Sequence, residues 1–185
     1  MKFKTLAFFS ILSILFFSAC DSKDKKQDEN KVKIEQNVLK SDFMLNTLNG
    51  DIIELKTDTN SINIKNYENK IVVLNFFASW CPACKIEIPA LIRLQNEYKN
   101  DLVVLSVLLE EFKSDEEIKA FVKEFGINYN ITIGGENFDL AKAVGGIKSI
   151  PTTFIIDKHG KIYQKIQGLA PYEMIEIDIK KVLEK

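Results

Sequence analysis

The residues best suited to chemistry are two cysteines separated by two residues, Cys81 and Cys84. They follow an apolar run at residues 71–78 and precede a segment, residues 85–99, whose apolar positions have helical spacing. Two cysteines at the start of a helix are close enough to form a disulfide, and the aligned backbone N–H groups there favour an anion. The pattern indicates a redox dithiol, and we interpret the remaining elements as the scaffold that positions it.

Thiol-disulfide exchange needs one accessible cysteine of low pKa and a second cysteine nearby. We expect Cys81 to be accessible and to act as the nucleophile, since a helix N-terminus can lower a cysteine pKa from about 8.5 to roughly 3.5–7.5. Cys84, one turn into the helix and facing the protein body, is the expected resolving thiol. Pro82 suits the first helical position and stiffens the loop between the cysteines. No cofactor other than this dithiol is expected.

Other roles fit this cysteine pair less well. A structural disulfide across so short a loop constrains the unfolded chain little. A structural zinc site takes about four protein ligands, whereas the chain has a single such pair and one histidine, so no metal is expected. Simply buried cysteines do not account for the adjacent Trp80, whose rigid ring we interpret partly as packing and partly as a cover that shields the dithiol from water.

The N-terminus has the layout of an export signal. Residues 1–19 contain two early lysines, an apolar stretch and small residues immediately before Cys20. Residues 17–20 resemble the lipobox of bacterial lipoproteins, in which the cysteine is lipidated, although Phe17 replaces the usual leucine. An uncleaved anchor is the alternative, because a large residue at this position is also poor for ordinary cleavage. We expect a lipid anchor at Cys20 on the periplasmic side of a bacterial membrane.

The stretch after the signal is highly charged and has almost no apolar content. Residues 21–37 contain five acids and five lysines, so they cannot bury enough surface to fold. We interpret residues 20–37 as the lipidated cysteine and a flexible tether, followed by a single domain at residues 38–185. The whole chain has a formal net charge of −1, so it lacks the basic field of a nucleic-acid-binding protein.

The domain alternates strands and helices, with a hairpin expected at each end. Residues 57–67 are polar and are expected to be irregular. The expected strands are residues 43–45, 52–55, 71–77, 102–109, 131–133, 150–157 and 162–166. The expected helices are residues 85–99, a capped helix between Ser114 and Gly126, residues 138–144 and a final helix opened by Pro171. This order favours an α/β layer sandwich around a mixed sheet.

Two segments carry a family resemblance. Residues 80–84 after a buried strand, together with residues 150–154, resemble the thioredoxin fold. Glu87 and Pro89, the opening hairpin and an extra strand-helix piece resemble the membrane-tethered periplasmic thiol:disulfide oxidoreductases of the TlpA and ResA type. The resemblance implies a thioredoxin-like α/β fold, with a mixed central sheet flanked by helices, an N-terminal β-hairpin and a strand-helix insertion before the cis-proline.

The resemblance also implies roles for residues around the dithiol. Pro151 would be the cis-proline that faces the cysteines, and the backbone of Ile150 would pair with a substrate peptide in a strand-like manner. We assign Trp80, Pro82, Ile150 and Pro151 to substrate binding. Glu87 would lie beneath the dithiol, tune its pKa values and relay protons, the alternative being that it only favours the helix dipole.

The function expected from these features is an extracytoplasmic thiol:disulfide oxidoreductase that reduces disulfides in exported client proteins. By resemblance, the clients include apocytochromes c during cytochrome c maturation, and a membrane electron donor of the thiol-disulfide type recharges the enzyme. A thiol oxidase or disulfide isomerase would carry the same dithiol, and the sequence does not fix a potential. The alternative from another class is a non-catalytic surface lipoprotein that binds a partner.

Overall fold

The computed structural model describes residues 41–184, which form an eight-stranded sheet with four helices. The strands are β1 (Asp42–Thr47), β2 (Ile52–Asp58), β3 (Ser61–Ile64), β4 (Ile71–Phe77), β5 (Leu102–Leu108), β6 (Asn130–Ile133), β7 (Thr152–Ile156) and β8 (Ile162–Gln167). The helices are α1 (Pro82–Glu97), α2 (Asp115–Phe125), α3 (Glu136–Ala143) and α4 (Tyr172–Leu183). The expected export signal, Cys20 and tether lie outside the described residues.

The sheet is mixed, as the sequence predicts. Its strand order is β3-β2-β1-β6-β5-β4-β7-β8. Strands β4, β5 and β6 run parallel, whereas β1 and β2 form an antiparallel hairpin at one side and β7 and β8 form another at the opposite side. The β6–α3 piece stands before β7, where the strand-helix insertion was expected. The thioredoxin-like α/β fold is therefore confirmed.

Local signals in the sequence account for the two elements that frame the dithiol. Every residue of β4 is buried, as a continuous apolar strand in the middle of a sheet requires. Helix α2 begins with a capping box, in which the hydroxyl of Ser114 accepts the Glu117 backbone N–H and the Glu117 carboxylate accepts the Ser114 N–H. It ends at Gly126, whose left-handed φ of 64° suits a helix C-terminus.

The expectation that residues 57–67 are irregular is wrong, because β2 continues to Asp58 and β3 occupies Ser61–Ile64. The alternate residues Ile62 and Ile64 of β3 are buried in the core, and the strand pairs with β2. A strand-like alternation of only four residues is stabilised here by its neighbour rather than by its own propensity. None of the helices within residues 41–184 has the length and apolar character needed to span a bilayer.

The two faces of the sheet are covered by different helices. Buried residues of α1 and α4, including Leu91, Leu94 and Ile175, pack with Val73 of β4 in one apolar cluster. Helix α2 packs on the same face nearer the cysteines, and α3 packs on the opposite face. The helix that carries the dithiol therefore lies across β4 and β5, at the middle of the sheet.

Candidate active site

Cys81 and Cys84 are joined in a disulfide at the N-terminus of α1, with a Cα–Cα distance of 5.3 Å. Cys81 is the N-cap residue and Pro82 opens the helix. The backbone N–H of Cys84 donates to Cys81 Sγ at 3.2 Å. When the disulfide is reduced, this N–H and the positive end of the helix dipole both favour an anionic sulfur at this position.

Neither cysteine is accessible in the disulfide form, which corrects the expectation of an exposed Cys81. Cys81 is 4% exposed and Cys84 is 2% exposed. The carbonyl oxygen of Ile150 lies 3.8 Å from Cys81 Sγ, and Ile150 packs on the apolar cluster that contains both cysteines. The segment that contains Ile150 covers Cys81 and comes from a distant part of the chain. The burial of Cys81 is therefore not visible in the local sequence around the dithiol.

The segment that covers the dithiol contains a cis peptide bond between Ile150 and Pro151. Pro151 is buried, and β7 begins one residue after it rather than including it. Thr152, the first residue of β7, pairs with Phe76 near the end of β4. Because β4 leads into the dithiol, this pairing places the cis-proline segment beside the cysteines. The structure thus brings together residues that are separated by about 70 positions in the sequence.

Trp80 and Pro82 lie at the surface next to the dithiol. Trp80 is 64% exposed, so its ring is mainly in contact with solvent rather than packed in the core. The expected packing role of this ring is therefore a minor one. An exposed aromatic side chain beside two buried cysteines is available to contact a bound polypeptide.

Glu87 is buried, with 1% exposure, and lies on α1 one turn after Cys84. Asn75 Nδ2 donates to Glu87 Oε2 at 2.8 Å, and the Ala170 backbone N–H donates to Glu87 Oε1 at 2.9 Å. Burial raises the pKa of Glu87 from 4.5 to about 7, and the hydrogen bonds oppose this rise. The carboxyl group can therefore exchange a proton near neutral pH while it remains inside the protein.

The polar neighbours of Glu87 were missed by the sequence reasoning. Asn75 also donates to Thr153 Oγ1 at 2.9 Å, and the Ser106 hydroxyl lies 3.4 Å from Asn75 Oδ1. These three residues occupy one row across β5, β4 and β7, because Asn75 pairs with Ser106 on one side and Thr153 on the other. The available signal is Asn75 itself, a polar residue inside an apolar strand that must find partners when buried.

A second missed feature is the loop between β5 and α2, residues 109–114. The carboxylate of Glu110 accepts from the Ser79 backbone N–H at 3.0 Å and from its hydroxyl at 2.7 Å. Lys113 Nζ donates to Ser79 Oγ at 2.5 Å and lies 3.7 Å from Glu110 Oε1. Ser79 stands two residues before Cys81, so these bonds hold the loop against the segment that leads into the dithiol.

Within residues 41–184 no group of three or more histidine, cysteine or acidic side chains is arranged to hold a metal ion. The redox-active group that the described residues present is the cysteine pair. The helix N-terminus lies at Cys81, and a buried acid, Glu87, lies on the same helix.

Comparison with known proteins gives three related findings. The model of the AhpC/TSA family matches residues 39–165. The thiol-disulfide oxidoreductase ResA of Bacillus thuringiensis subsp. konkukian is 36% identical over 123 residues, which cover 65% of this chain and 68% of the relative. ResA of Bacillus anthracis is 31% identical over 157 residues, which cover 84% of this chain and 82% of the relative.

Solved structures of similar fold include StoA from Bacillus subtilis, with a TM-score of 0.59 and 21% identity over 75% of this chain and 96% of that chain. A DsbF homologue from Corynebacterium diphtheriae has a TM-score of 0.65 and 24% identity over 76% of this chain and 84% of that chain. At these identities the likeness concerns the fold.

Proposed function

The chain belongs to the AhpC/TSA family and is a thiol-disulfide oxidoreductase of the ResA type, and from that premise we propose that it reduces disulfides of exported client proteins outside the cytoplasm. The observation that supports the exchange chemistry most directly is the position of Cys81 Sγ, which accepts the Cys84 N–H at the start of α1. A sulfur held there is favoured as an anion, and the thiolate is the attacking form in disulfide exchange.

The first step is attack by the Cys81 thiolate on a client disulfide. A new S–S bond forms between Cys81 and one client sulfur, the client S–S bond breaks, and the second client sulfur leaves as a thiolate. In this step the carbonyl of Ile150 accepts a backbone N–H of the client beside the reacting sulfur, a role that its distance of 3.8 Å from Cys81 Sγ supports. Trp80, Pro82 and Pro151 line the same approach and complete the proposed substrate surface.

The second step is resolution by Cys84. Its thiol gives a proton to the Glu87 carboxylate, and the resulting thiolate attacks Cys81 Sγ. The Cys81–Cys84 bond forms, the Cys81–client bond breaks, and the client sulfur leaves as a thiolate. One proton from Glu87 and one from water convert the two client thiolates to a dithiol, and two electrons have passed from the enzyme to the client. Glu87 suits this role because it is buried one turn from Cys84 and its pKa of about 7 allows both protonation states.

Trapping the mixed disulfide tests the enzymatic roles. In cells that produce the full chain, Cys84→Ser should accumulate disulfide-linked adducts through Cys81, because the resolving thiol is absent. The Cys81→Ser,Cys84→Ser variant is the matched control and should give none. If the single variant forms no adducts and Cys81→Ser keeps full disulfide-exchange activity, the assignment of Cys81 as nucleophile is wrong.

The direction of electron flow is tested by measuring the reduction potential of the Cys81–Cys84 pair. We expect the full chain with Cys20→Ser, equilibrated with glutathione in detergent, to have a reduction potential below about −200 mV, towards the thioredoxin value of about −270 mV. A value near that of the oxidant DsbA, about −120 mV, would replace the proposed reductase with a thiol oxidase.

The proposal includes the location, the clients and the electron source. Residues 1–19 direct export, Cys20 is lipidated, and residues 20–37 tether the domain of residues 38–185 to the membrane, where a thiol-disulfide electron donor reduces the enzyme again. Incorporation of labelled fatty acid should require Cys20, and a parent chain that stays in the membrane without label points to the uncleaved anchor. A disulfide-bonded apocytochrome c peptide is the proposed client to assay first.

A further inference from the structure

The loop of residues 109–114 presents one large apolar side chain entirely to solvent. Phe112 is 100% exposed, and its backbone has a positive φ of 68°. The other described non-glycine residues with positive φ are two asparagines, Asn66 and Asn69, which tolerate this conformation better than phenylalanine does. Burial does not explain the outward position of Phe112, because its ring has no covering within residues 41–184.

The position of Phe112 relative to the dithiol is fixed by its neighbours. Glu110 and Lys113, on either side of it, both bond to Ser79. Ser79 is followed directly by Trp80, the other exposed aromatic residue at this end of the sheet. The exposed ring of Phe112 therefore belongs to a loop that is bonded directly to the segment carrying Trp80 and Cys81.

A cleft of about 420 Å³ lies beneath Phe112. Leu108 and Ile118 line it and belong to the same buried cluster as Cys81 and Cys84. The cleft is also lined by Glu110 and Lys113, which pair with each other, and by Glu111 and Asp115, which have no ion-pair partner among the described residues. An unpaired negative charge on two side chains beside an exposed aromatic ring favours a cationic, amphipathic group.

We propose that Phe112, Glu111 and Asp115 form a docking site for a basic side chain of the client, close in its sequence to the cysteine that Cys81 attacks. The alkyl stem and cation of a client lysine or arginine pack on the Phe112 ring, and the charged end lies near the two carboxylates. This inference rests on the proposed reaction with client disulfides. It adds a recognition site that is separate from the cysteines and from the Ile150 backbone.

The test measures one exchange step with defined peptides. The full chain with Cys20→Ser and Cys84→Ser, in detergent, reacts with short peptides whose single cysteine carries thionitrobenzoate and is flanked by lysine, alanine or glutamate. The Cys81 thiolate attacks the peptide sulfur, the Cys81–peptide bond forms, and coloured thionitrobenzoate leaves as a thiolate. We expect the lysine peptide to react about fivefold faster than the glutamate peptide at low salt, with the difference shrinking as salt is added.

Two variants of the docking site are compared with two control variants that make the same kind of change elsewhere on the surface. Phe112→Ala should slow the lysine peptide about threefold, and Glu111→Lys should remove its advantage over the glutamate peptide. Ile177→Ala removes an exposed apolar side chain of α4, and Glu184→Lys makes the same charge change just beyond the end of α4. Helix α4 lies against the C-terminal end of α1, where the Tyr98 hydroxyl donates to Glu176, and the dithiol is at the opposite end of α1, so neither control should change the peptide ranking.

Free Ellman's reagent provides the internal reference, because it reaches Cys81 without a peptide. Its rate should be the same in Phe112→Ala as in the parent, which shows that the fold and the thiolate are intact. The docking site would be overturned if the lysine and glutamate peptides reacted at equal rates. It would also be overturned if Phe112→Ala slowed Ellman's reagent as much as it slowed the lysine peptide. These outcomes are independent of the reduction potential, so an oxidising potential with a preserved lysine preference would reject only the proposed direction of electron flow.

Discussion

The two faces of the central strands differ in a way that separates the chemistry from the fold. On the face under α1, Asn75, Ser106 and Thr153 form a buried polar row between two apolar clusters. On the opposite face, the adjacent residues Phe76 and Phe154 are apolar and pack edge to face with ring centroids 5.8 Å apart. The same three strands therefore support a buried acid on one side and a mainly apolar core on the other.

The polar row is tolerated because its members bind one another. Among the described residues that are not exposed, no buried side-chain nitrogen or oxygen lacks a hydrogen-bond partner. The row places donors under Glu87, so the carboxyl stays inside the protein with a pKa near neutrality rather than being expelled to solvent. Polar residues in this strand interior thus point to the buried acid Glu87, whereas the opposite face mainly provides apolar packing.

The largest loss of stability is expected from Phe154→Ala, on the apolar face. Removing a fully packed ring should lower the free energy of unfolding by about 3–5 kcal/mol. Urea unfolding of the full chain with Cys20→Ser, in its disulfide form, measures this loss. The pKa of Glu87, followed by the infrared band of its carboxyl group, should not change. A shift of that pKa would show that the two faces are not independent.

The next effect is expected from Glu87→Gln. A pKa of about 7 in the folded protein against 4.5 when exposed means that the folded state binds more protons between these values. The contribution of Glu87 to the free energy of unfolding is therefore largest below about pH 4.5. It is lost as pH rises to about 7, by about 3 kcal/mol in total. Glu87→Gln should abolish this part of the pH dependence, since glutamine does not titrate.

Urea unfolding at pH values from 4 to 8 compares the parent protein with Glu87→Gln. The control is Glu124→Gln, which alters an exposed glutamate of α2. The parent and Glu124→Gln should lose stability in parallel across this range. If Glu87→Gln follows the same curve, Glu87 does not have a raised pKa and the proposed proton transfer from Cys84 is left without its base.

A smaller effect is expected from Asn75→Ala, which removes a donor to Glu87. The pKa of Glu87 should rise above its value of about 7, and stability should fall by about 2 kcal/mol. Asn130→Ala is the matched control, because its side chain donates at 3.0 Å to the Tyr67 hydroxyl and does not contact Glu87. An unchanged carboxyl band in Asn75→Ala would mean that the polar row does not set the protonation of Glu87.

Features encoded in short stretches could be predicted from the sequence. The spacing of Cys81 and Cys84, the apolar β4 and the capping box at Ser114 each depend on neighbouring residues, and the structure contains all three. The burial of Cys81 could not be predicted, since it depends on Ile150, a residue 69 positions away. Strand β3 was also missed, because Ser61–Ile64 is short and is stabilised by pairing with β2.

The polar row escaped prediction for the same reason. The contact between Asn75 and Thr153 spans 78 positions and exists only because β4 and β7 pair in one register. A shift of one residue in that register would turn Thr153 to the apolar face. Sequence reasoning placed Glu87 on the dithiol helix, but the partners that hold its carboxyl come from the sheet and from the segment before α4.

The finest test of the two faces uses adjacent threonines of β7 that point in opposite directions. Thr153 Oγ1 accepts from Asn75 and its hydroxyl lowers the pKa of Glu87, whereas the Thr152 hydroxyl donates to the Ser149 carbonyl at 2.6 Å. Valine has nearly the same shape as threonine, so each Thr→Val change should cost only about 1 kcal/mol for each hydrogen bond that it removes, one for Thr152 and two for Thr153. Thr153→Val should also raise the pKa of Glu87, and Thr152→Val should leave it unchanged. The infrared carboxyl band decides this, and equal shifts in both variants would show that Glu87 responds to general loosening of β7 rather than to the polar row.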